Sequence, residues 1–309
     1  MKAIIYKRYG EPNVLKLVEI KKPTLKPNEV LVKVIASSVT SVDIRLRKSD
    51  FPLIFWLLAR IIFGLFGPRK KILGHEFSGV IIEKGNAVTK FKLHDEVFGT
   101  TTMLKSGSYA EYVCIPERWK FGVIQHKPRK LNHLQSATIP IGSMTAMYLF
   151  EKSNLEENQV ILIYGASGSV GSYAIQIAKA KGAFVFAVCS ASNFEMVKSL
   201  GADLVIDYRK EKYYSLNRKV DVVFDAVGKT TKLKAKRILK KGGSFISVKM
   251  VTKEKNEHLS KIKFLIEEEK LKPYIDKSYK FEDIVEAHQY VDKGHKKGNV
   301  AIQISNDLT

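Results

Sequence analysis

The chain has 309 residues, enough for two domains of ordinary size, and 45% of them are hydrophobic, which excludes an intrinsically disordered protein. A formal charge of +21 would suit nucleic acid or an anionic membrane surface, but the lysines are scattered through every region, so we expect no specific nucleic-acid partner. Two cysteines, Cys114 and Cys189, are too few for a disulfide framework and favour a reducing, cytoplasmic compartment.

The first part of the chain consists mainly of short apolar or alternating runs separated by turn residues. They cover residues 2–7, 15–20, 29–36, 72–83, 92–98 and 107–114. Such runs at short intervals predict strands of a small β-barrel that ends near residue 125. The first run begins almost at the initiator methionine, so we expect no signal peptide.

One strongly apolar run, residues 53–66, interrupts this pattern. It is shorter than the about 18 residues that a spanning helix needs, and Arg60 lies within it, so we expect no membrane span. The run predicts a helix with three alternative roles. It is a core element, a lid over a cleft for a lipophilic substrate, or, with the basic residues 69–71 behind it, a segment that docks on an anionic membrane.

A strand, a tight turn and a helix are predicted in succession over residues 160–179. Glycines at such a turn let the backbone approach a pyrophosphate, whose charge is favoured by the unpaired N–H groups that begin the helix. The spacing is G-x-x-G-x-x-G, because Ala166 occupies the first glycine position of the usual G-x-G-x-x-G pattern. The candidate nucleotide-binding residues are Gly165, Ser167, Gly168, Ser169, Val170 and Gly171.

Strands and helices alternate after this turn. Strands are predicted at 184–189, 204–207, 220–225 and 244–248, and helices at 193–200 and 231–239. Ser192 and Glu195 have the spacing of a capping box for the first helix, and Gly242-Gly243 is expected to end the second. This alternation predicts an α/β fold with a doubly wound parallel sheet, whose ligand lies at the carboxyl ends of the strands.

The end of the predicted strand at 184–189 lacks the carboxylate that an NAD site uses to bind the ribose hydroxyls. Ser190, Ser192 and Asn193 stand there instead and are suited to a 2′-phosphate, and Tyr208 and Arg209 follow the predicted strand at 204–207. This pattern favours NADP(H) over NAD(H). The alternative is that these polar residues only cap a helix and contact solvent.

The remaining segments set the domain limits. An amphipathic helix over 137–152 leads into the nucleotide domain, and a strand is predicted at 299–304 in the tail. We therefore expect a catalytic domain of residues 1–125 and 273–309 and a dinucleotide-binding domain of residues 126–272.

Several dispersed segments together resemble the medium-chain dehydrogenase/reductase superfamily, most closely its zinc-free quinone oxidoreductase and enone reductase branch. They are residues 36–43, 73–79, 107–112, 142–146, 165–171, 221–225 and 298–300. The resemblance implies a GroES-like β-barrel catalytic domain beside a Rossmann domain, with NAD(P)H bound in the cleft. It also implies cofactor contacts from Val227 and Asn299.

The zinc ligands of related alcohol dehydrogenases are largely missing. Those enzymes hold zinc with a Cys, a His and a second Cys. Here the first position is Thr40, the histidine is His75, and residues 139–142 offer no ligand, so no bound metal is expected. His75 either only hydrogen-bonds Glu76 or a backbone carbonyl, or it, or a water molecule that it orders, lends a proton or polarises a carbonyl.

Thr40 and His75 are the candidate catalytic residues. The resemblance implies that Thr40 lies near the nicotinamide, where its hydroxyl would orient the amide or the substrate oxygen. Asp43 is expected to cap the following helical turn. The predicted activity is zinc-independent, NADPH-dependent hydride transfer to a lipophilic quinone or α,β-unsaturated carbonyl. The rival hypotheses are a weakly catalytic NADPH-binding protein that associates with RNA or a membrane surface, and an alcohol dehydrogenase with an atypical metal site.

The assembly state is left open by one departure from the family. The sheet-edge strand that pairs two family subunits normally follows the position of Val248, but residues 250–257 are polar and a helix is predicted from about 259. The edge strand therefore looks deleted, and monomer and homodimer are both compatible with the sequence.

Overall fold

The structure, a computed structural model, describes residues 1–51 and 53–305, without the side chains of residues 53–55. Contacts within the chain divide it into two compact units. The first contains Met1–Ile141 and the segment that starts at Ile275, and the second is Gly142–Tyr274. The division expected from the sequence, after residue 125, falls earlier, because residues 126–141 pack with the first unit.

The helices and strands alternate in the second unit and are mainly strands in the first. The strands are β1 (Lys2–Ile5), β2 (Lys16–Glu19), β3 (Glu29–Ser38), β4 (Glu76–Lys84), β5 (Glu96–Thr100), β6 (Tyr112–Pro116), β7 (Ile124–His126), β8 (Val160–Tyr164), β9 (Phe184–Cys189), β10 (Leu204–Asp207), β11 (Val220–Asp225), β12 (Leu239–Ser247), β13 (Ile275–Lys280) and β14 (Asn299–Gln303). The helices are α1 (Ser41–Lys48), α2 (Leu53–Phe63), α3 (His133–Ser136), α4 (Pro140–Ser153), α5 (Ser169–Ala180), α6 (Phe194–Ser199), α7 (Lys232–Lys236), α8 (Asn256–Glu267) and α9 (Ile284–Asp292).

The main sheet of the first unit has the order β13-β14-β3-β4-β5-β7, and β6 also pairs with β3. Strand β3 is central, and nine of its ten residues are buried. Its alternate residues Val30, Val32 and Val34 belong to the apolar core of this unit. Strand β14, from the tail of the chain, pairs antiparallel with β3, with Ala301 opposite Ser38. The predicted tail strand is therefore confirmed and joins the sheet of the first unit.

The apolar run between α1 and β4 folds as helix α2, as the sequence predicts. The helix ends before Gly64, whose φ of 128° is a conformation that other residues rarely adopt. One face of the helix is inside the unit, since Ala59 is buried, and the opposite face is exposed. No helix in the described ranges has the length and hydropathy needed to cross a bilayer.

The second unit contains a parallel sheet with the strand order β10-β9-β8-β11-β12. Helix α5 connects β8 to β9, α6 connects β9 to β10, and α7 connects β11 to β12. The order reverses between β8 and β11, and ligands of such sheets bind at the carboxyl ends of the strands at this point. The predicted α/β unit and its strand–turn–helix over 160–179 are confirmed.

Two local predictions in this unit are wrong. Gly242-Gly243 does not end a helix, because both glycines lie inside β12, where a bulge separates the pairs Val220–Leu239 and Val222–Ser244. Gly242 has a φ of 82°, which the bulge requires. Ser192 does not cap α6, because it lies in a 3₁₀ turn, Ala191–Asn193, and the helix begins without a side-chain cap.

Strand β12 lies at the edge of this sheet. Among the residues that the structure describes, no further strand joins the sheet beyond it. The deleted edge strand expected from the sequence is consistent with this arrangement, while the number of subunits stays a prediction.

Candidate active site

Helix α1 begins with a reciprocal pair of hydrogen bonds between Thr40 and Asp43. The Thr40 Oγ1 accepts from the backbone N–H of Asp43 at 3.2 Å, and the backbone N–H of Thr40 donates to Asp43 Oδ2 at 3.0 Å. The hydroxyl of Thr40 also donates to Asp43 Oδ2 at 2.5 Å. The prediction that Asp43 caps this turn is confirmed.

Asp43 also contacts His75, which lies just before β4. Its Oδ1 is 2.7 Å from Nδ1 of His75 and accepts from the backbone N–H of Gly74 at 2.9 Å. The expectation that His75 bonds Glu76 or a backbone carbonyl is wrong for Nδ1, because this nitrogen bonds the carboxylate of Asp43 instead. Sequence reasoning gave Asp43 only the capping role and missed this contact.

The electrostatics of the pair follow from complete burial. Burial alone would raise the pKa of Asp43, but His75 and the hydrogen bonds from His75 and Thr40 outweigh it and hold the pKa below its ordinary range. Burial lowers the pKa of His75, against the opposing attraction of Asp43. At neutral pH the carboxylate is therefore ionised and the ring neutral, with its proton on Nδ1 and a lone pair on Nε2.

A second buried carboxyl group belongs to Glu76, the first residue of β4. The Ser38 hydroxyl donates to its Oε2, and the backbone N–H of Ile141 donates to its Oε1 at 2.5 Å. Burial raises the pKa of Glu76 to about 8, against the opposing effect of these hydrogen bonds. This group therefore titrates near neutral pH.

Lys296 is a charged partner of this region that sequence reasoning missed. Burial lowers its pKa to about 8, while attraction to Glu76 and Asp276 works in the other direction. Its Nζ donates to the carbonyl of Gly298 at 2.7 Å. The signal available in the sequence was its position two residues before the segment 298–300 that carries the family resemblance.

Packing requires two glycines, one in the turn between β8 and α5 and one in the first turn of α5. Gly165 has a φ of 79°, and a Cβ added to it would lie 2.5 Å from Cγ1 of Val227. A Cβ on Gly171 would lie 2.3 Å from the carbonyl oxygen of Gly165. These close approaches hold the turn and the first helical turn against the strand end.

Gly168 is different, because neither packing nor backbone geometry requires a glycine there. Its φ is −80°, and an added Cβ would meet only the carbonyl oxygen of Gly165, at an ordinary 3.5 Å. Gly168 is the N-cap of α5 and makes no side-chain cap. A glycine at this N-terminal position puts no side chain beside the first N–H groups of the helix, which are suited to a pyrophosphate group.

The loop after β9 meets the same turn. The Asn193 side-chain amide donates to Ser167 Oγ at 2.9 Å, and Ser190 Oγ lies 3.1 Å from Ser192 Oγ. Asn193 Oδ1 is buried and has no hydrogen-bond partner among the described residues. A buried acceptor without a donor is costly, so a ligand hydroxyl at this place would satisfy it. The residues of this unit therefore fit a dinucleotide.

Two other predicted cofactor residues, Tyr208 and Val227, follow the ends of strands. Tyr208 follows β10 with 47% of its surface exposed, and the Arg209 guanidinium lies 5.8 Å from the centre of its ring. Val227 follows β11, where its backbone N–H donates to the buried Asp225 carboxylate at 3.3 Å. Asn299 lies instead in the first unit, buried at the start of β14. Ser169 and Val170 form the first turn of α5.

Asp225 is a further residue that the sequence analysis did not assign. Its carboxylate accepts hydrogen bonds from the backbone N–H groups of Lys229 and Thr230, at 3.2 and 3.4 Å, and from the Ser247 hydroxyl at 3.0 Å. This buried carboxylate therefore shapes the loop that carries Val227.

The residues at the zinc-ligand positions do not fit a zinc ion. The first position holds a threonine whose hydroxyl donates to Asp43, and both oxygens of Glu76 accept hydrogen bonds, so the lone pair on Nε2 of His75 has no matching second and third ligand from these residues. Within residues 1–51 and 53–305, no group of three or more His, Cys, Asp or Glu side chains is placed to hold a metal ion. Independence from zinc stays a prediction.

Comparison with known proteins gives matches over both units. The family model for the alcohol dehydrogenase GroES-like domain matches residues 26–126, and that for zinc-binding dehydrogenase matches residues 169–286. The chain is 33% identical to the 2-methylene-furan-3-one reductase of Solanum lycopersicum, over 98% of this chain and 79% of the relative. It is 32% identical to the chloroplastic NADPH-dependent alkenal/one oxidoreductase of Arabidopsis thaliana, with the same coverage.

A solved structure agrees with these relatives. The quinone oxidoreductase from Coxiella burnetii superposes with a TM-score of 0.87 and 28% identity, over 99% of each chain. The GroES-like first unit and the parallel-sheet second unit expected from the sequence are thereby confirmed. The chain belongs to the medium-chain dehydrogenase/reductase superfamily, in its zinc-free quinone oxidoreductase branch, and is an oxidoreductase with a nicotinamide cofactor.

Proposed function

We propose that this protein transfers a hydride from NADPH to a quinone or to the β-carbon of an α,β-unsaturated carbonyl, without zinc. The observation that carries the proposal is the Thr40–Asp43–His75 arrangement, in which a threonine stands at the first zinc-ligand position and its hydroxyl bonds the carboxylate that also holds Nδ1 of His75. An activated acceptor needs no Lewis acid, because its own conjugated system spreads the developing charge onto oxygen. Bound NADPH would supply the hydride, and a proton from solvent completes the reduction.

Thr40 and His75 are the proposed catalytic residues. The Thr40 hydroxyl proton is directed at Asp43, so its oxygen is suited to accept a hydrogen bond from the nicotinamide amide rather than to donate to the substrate. His75 is neutral and its Nε2 is an acceptor, which suits it to hold a water molecule that protonates the product. Asp43 positions both side chains.

NADPH is proposed over NADH because the loop after β9 has hydroxyl groups where a carboxylate would repel a 2′-phosphate. Ser190 and Ser192 are within hydrogen-bond distance of each other, and Arg209 adds a positive charge beside Tyr208. The names of the relatives favour the same chemistry, since they include an NADPH-dependent alkenal/one oxidoreductase and a furanone reductase. Asn299 is retained as a proposed cofactor contact.

The deciding experiment is steady-state oxidation of NADPH and NADH by the purified protein against quinones, alkenals and saturated aldehydes, with metal analysis of the same sample. We expect turnover with quinones or alkenals, preference for NADPH, and no loss of activity with a chelator. Turnover that disappears on chelation would favour an alcohol dehydrogenase with an atypical metal site. Salt-sensitive retention on RNA with no oxidation of either cofactor would favour the binding-protein hypothesis.

The proposal also covers the location of the protein in the cell and its number of subunits. We retain the cytoplasmic location expected from cysteine usage, although relatives are named as chloroplastic and mitochondrial proteins. Monomer and homodimer remain the two proposed assembly states.

A further inference from the structure

Helix α2 has an exposed apolar face. Leu57, Leu58, Ile61 and Ile62 are all exposed, and their spacing places them on one side of the helix. The chain that follows adds Phe66, with 98% of its surface exposed. Single exposed apolar side chains are ordinary on soluble proteins, but a group of neighbouring ones indicates an interaction surface. We call these residues, together with Leu65, the α2 face.

The helix is firmly attached through its opposite side. The ring of Phe63 stacks on Phe51 with a centroid distance of 5.5 Å and an interplanar angle of 6°. The Tyr9 hydroxyl donates to the carbonyls of Phe63 and Gly64 at 3.1 and 2.9 Å, and the Arg60 guanidinium lies 4.3 Å from the centre of the Tyr9 ring. The α2 face is therefore presented by a helix whose orientation within its unit is fixed.

The sequence around the helix is strongly basic. Between Asp43 and Glu76 the only acidic residue is Asp50, whereas seven residues are basic: Arg45, Arg47, Lys48, Arg60, Arg69, Lys70 and Lys71. Arg69 and Lys71 are exposed, and Nη1 of Arg69 donates to the carbonyl of Ile62 at 3.3 Å. This contact holds a positive charge at the end of the α2 face.

We propose that the α2 face docks on the surface of an anionic phospholipid bilayer. The apolar side chains enter the boundary between headgroups and acyl chains, and Arg69 and Lys71 contact lipid phosphates. The positive charge of the chain favours an anionic bilayer over a second copy of the chain as the partner of the α2 face. Two copies with a formal charge of +21 each would bring the same basic residues together across such an interface. The proposal does not depend on the reaction proposed above.

The test is flotation of the full chain with vesicles of phosphatidylcholine alone or mixed with phosphatidylserine, at low and high salt. The double variant Leu57→Gln/Ile61→Gln removes apolar surface, and Leu233→Gln/Val251→Gln is its control at exposed apolar positions elsewhere. The variant Arg69→Gln/Lys71→Gln removes charge, and Lys241→Gln/Lys253→Gln is its control at exposed lysines. Circular dichroism establishes that each variant is folded.

We expect the wild type to float with the phosphatidylserine vesicles, to be released by salt, and to bind phosphatidylcholine vesicles weakly. The Leu57/Ile61 variant should lose at least about tenfold in binding, since two apolar side chains no longer leave water. The Arg69/Lys71 variant should bind more weakly and with less salt dependence. Both control variants should bind like the wild type.

A spectroscopic measurement checks the same contact. In the Trp119→Phe protein the remaining tryptophan is Trp56 on α2, and its emission should shift to the blue when anionic vesicles are added. Flotation of all variants to the wild-type extent would overturn the proposal. Absence of wild-type binding would also overturn it, as would a dimer that the Leu57/Ile61 substitutions dissociate without any protein binding vesicles.

Discussion

Oδ1 of Asp43 lies 2.7 Å from Nδ1 of His75, so the carboxylate that caps helix α1 also fixes the histidine ring before β4. The same group accepts a hydrogen bond from the backbone of Gly74. One buried negative charge therefore joins a helix N-terminus, a loop and an imidazole, and its removal affects all three.

The first prediction concerns Asp43→Asn. The new amide group would face the donors on Thr40, and loss of hydrogen bonds to a buried charged group typically costs about 1.5–3 kcal/mol. We expect the free energy of unfolding, measured by urea denaturation at neutral pH, to fall by this amount. The control Asp50→Asn, at an exposed position, should change it by less than about 0.5 kcal/mol.

The pH dependence of this loss has a defined sign. Because the pKa of Asp43 is lowered by folding, its stabilising contribution is complete above the unfolded pKa of about 3.9 and disappears as the pH falls through the folded value. The difference in the free energy of unfolding between the wild type and Asp43→Asn should therefore become smaller in acid. Equal denaturation midpoints for Asp43→Asn and Asp50→Asn at neutral pH would contradict the role given to Asp43.

The second prediction concerns Glu76→Gln. Folding raises the pKa of Glu76 from 4.5 to about 8, so the folded protein retains a proton that the unfolded chain loses in this range. The stabilising contribution is present below the unfolded pKa and is lost as the pH rises through the folded pKa. We expect the wild type to lose a few kcal/mol of stability relative to Glu76→Gln as the pH rises from 4.5 to about 8.

The measurement is a series of denaturation curves across this pH range. Glu83→Gln is the matched control, because Glu83 is an exposed residue paired with Lys22 at 3.0 Å. The free energy of unfolding of Glu83→Gln should change with pH in the same way as that of the wild type. The same pH dependence in Glu76→Gln would show that Glu76 titrates at its ordinary pKa.

The third prediction separates two glycines of the β8–α5 turn. Gly168→Ala should change the free energy of unfolding by less than about 1 kcal/mol, because its backbone suits alanine and the methyl group meets no atom closer than 3.5 Å, while alanine is a poorer N-cap than glycine. Its dissociation constant for NADPH should nevertheless rise about tenfold or more, since the methyl group lies beside the first N–H groups of the helix.

Gly171→Ala is the contrasting substitution. Its methyl group would lie 2.3 Å from the carbonyl oxygen of Gly165, so we expect a loss of about 1–3 kcal/mol in stability. Urea denaturation and fluorescence titration with NADPH measure the two effects on each variant. Wild-type affinity in a folded Gly168→Ala protein would refute the phosphate position.

The fourth prediction concerns cofactor choice. A carboxylate at position 190 would repel a 2′-phosphate and accept the hydroxyl groups of an unphosphorylated ribose. Ser190→Asp should therefore change the ratio of kcat/KM for NADPH to that for NADH by about tenfold or more in favour of NADH. Ser190→Asn, which adds similar volume without charge, should change the ratio much less. An unchanged ratio in Ser190→Asp would argue against the proposed phosphate pocket.

Local patterns allowed much of the second unit to be predicted. The apolar run of β8, the glycines after it and the helical spacing of α5 are contained within twenty residues of sequence, and each acts through neighbours in the chain. The cap formed by Asp43 is equally local, because the N-cap Thr40 and Asp43 are three positions apart. Such features need no knowledge of the tertiary structure.

Features that depend on distant contacts were not predictable in this way. The Asp43–His75 bond joins residues 32 positions apart, and the lowered pKa of Lys296 results from burial in the tertiary structure. Asn193 shows how a tertiary contact overrides a local pattern. Its side chain bonds Ser167 in the turn after β8, and the expected Ser192–Glu195 cap does not form. Gly242-Gly243 suits a helix end and a strand bulge equally well by composition.

The pairing of β14 with β3 has a consequence for synthesis of the protein. Strand β3 emerges early from the ribosome, but its neighbour β14 is translated only after the whole second unit. The parallel sheet of residues 160–247 is a continuous stretch of chain, whereas the first sheet lacks both β13 and β14 until the second unit has been translated. The buried backbone groups of β3 on that side must meanwhile stay hydrated or be protected by a chaperone.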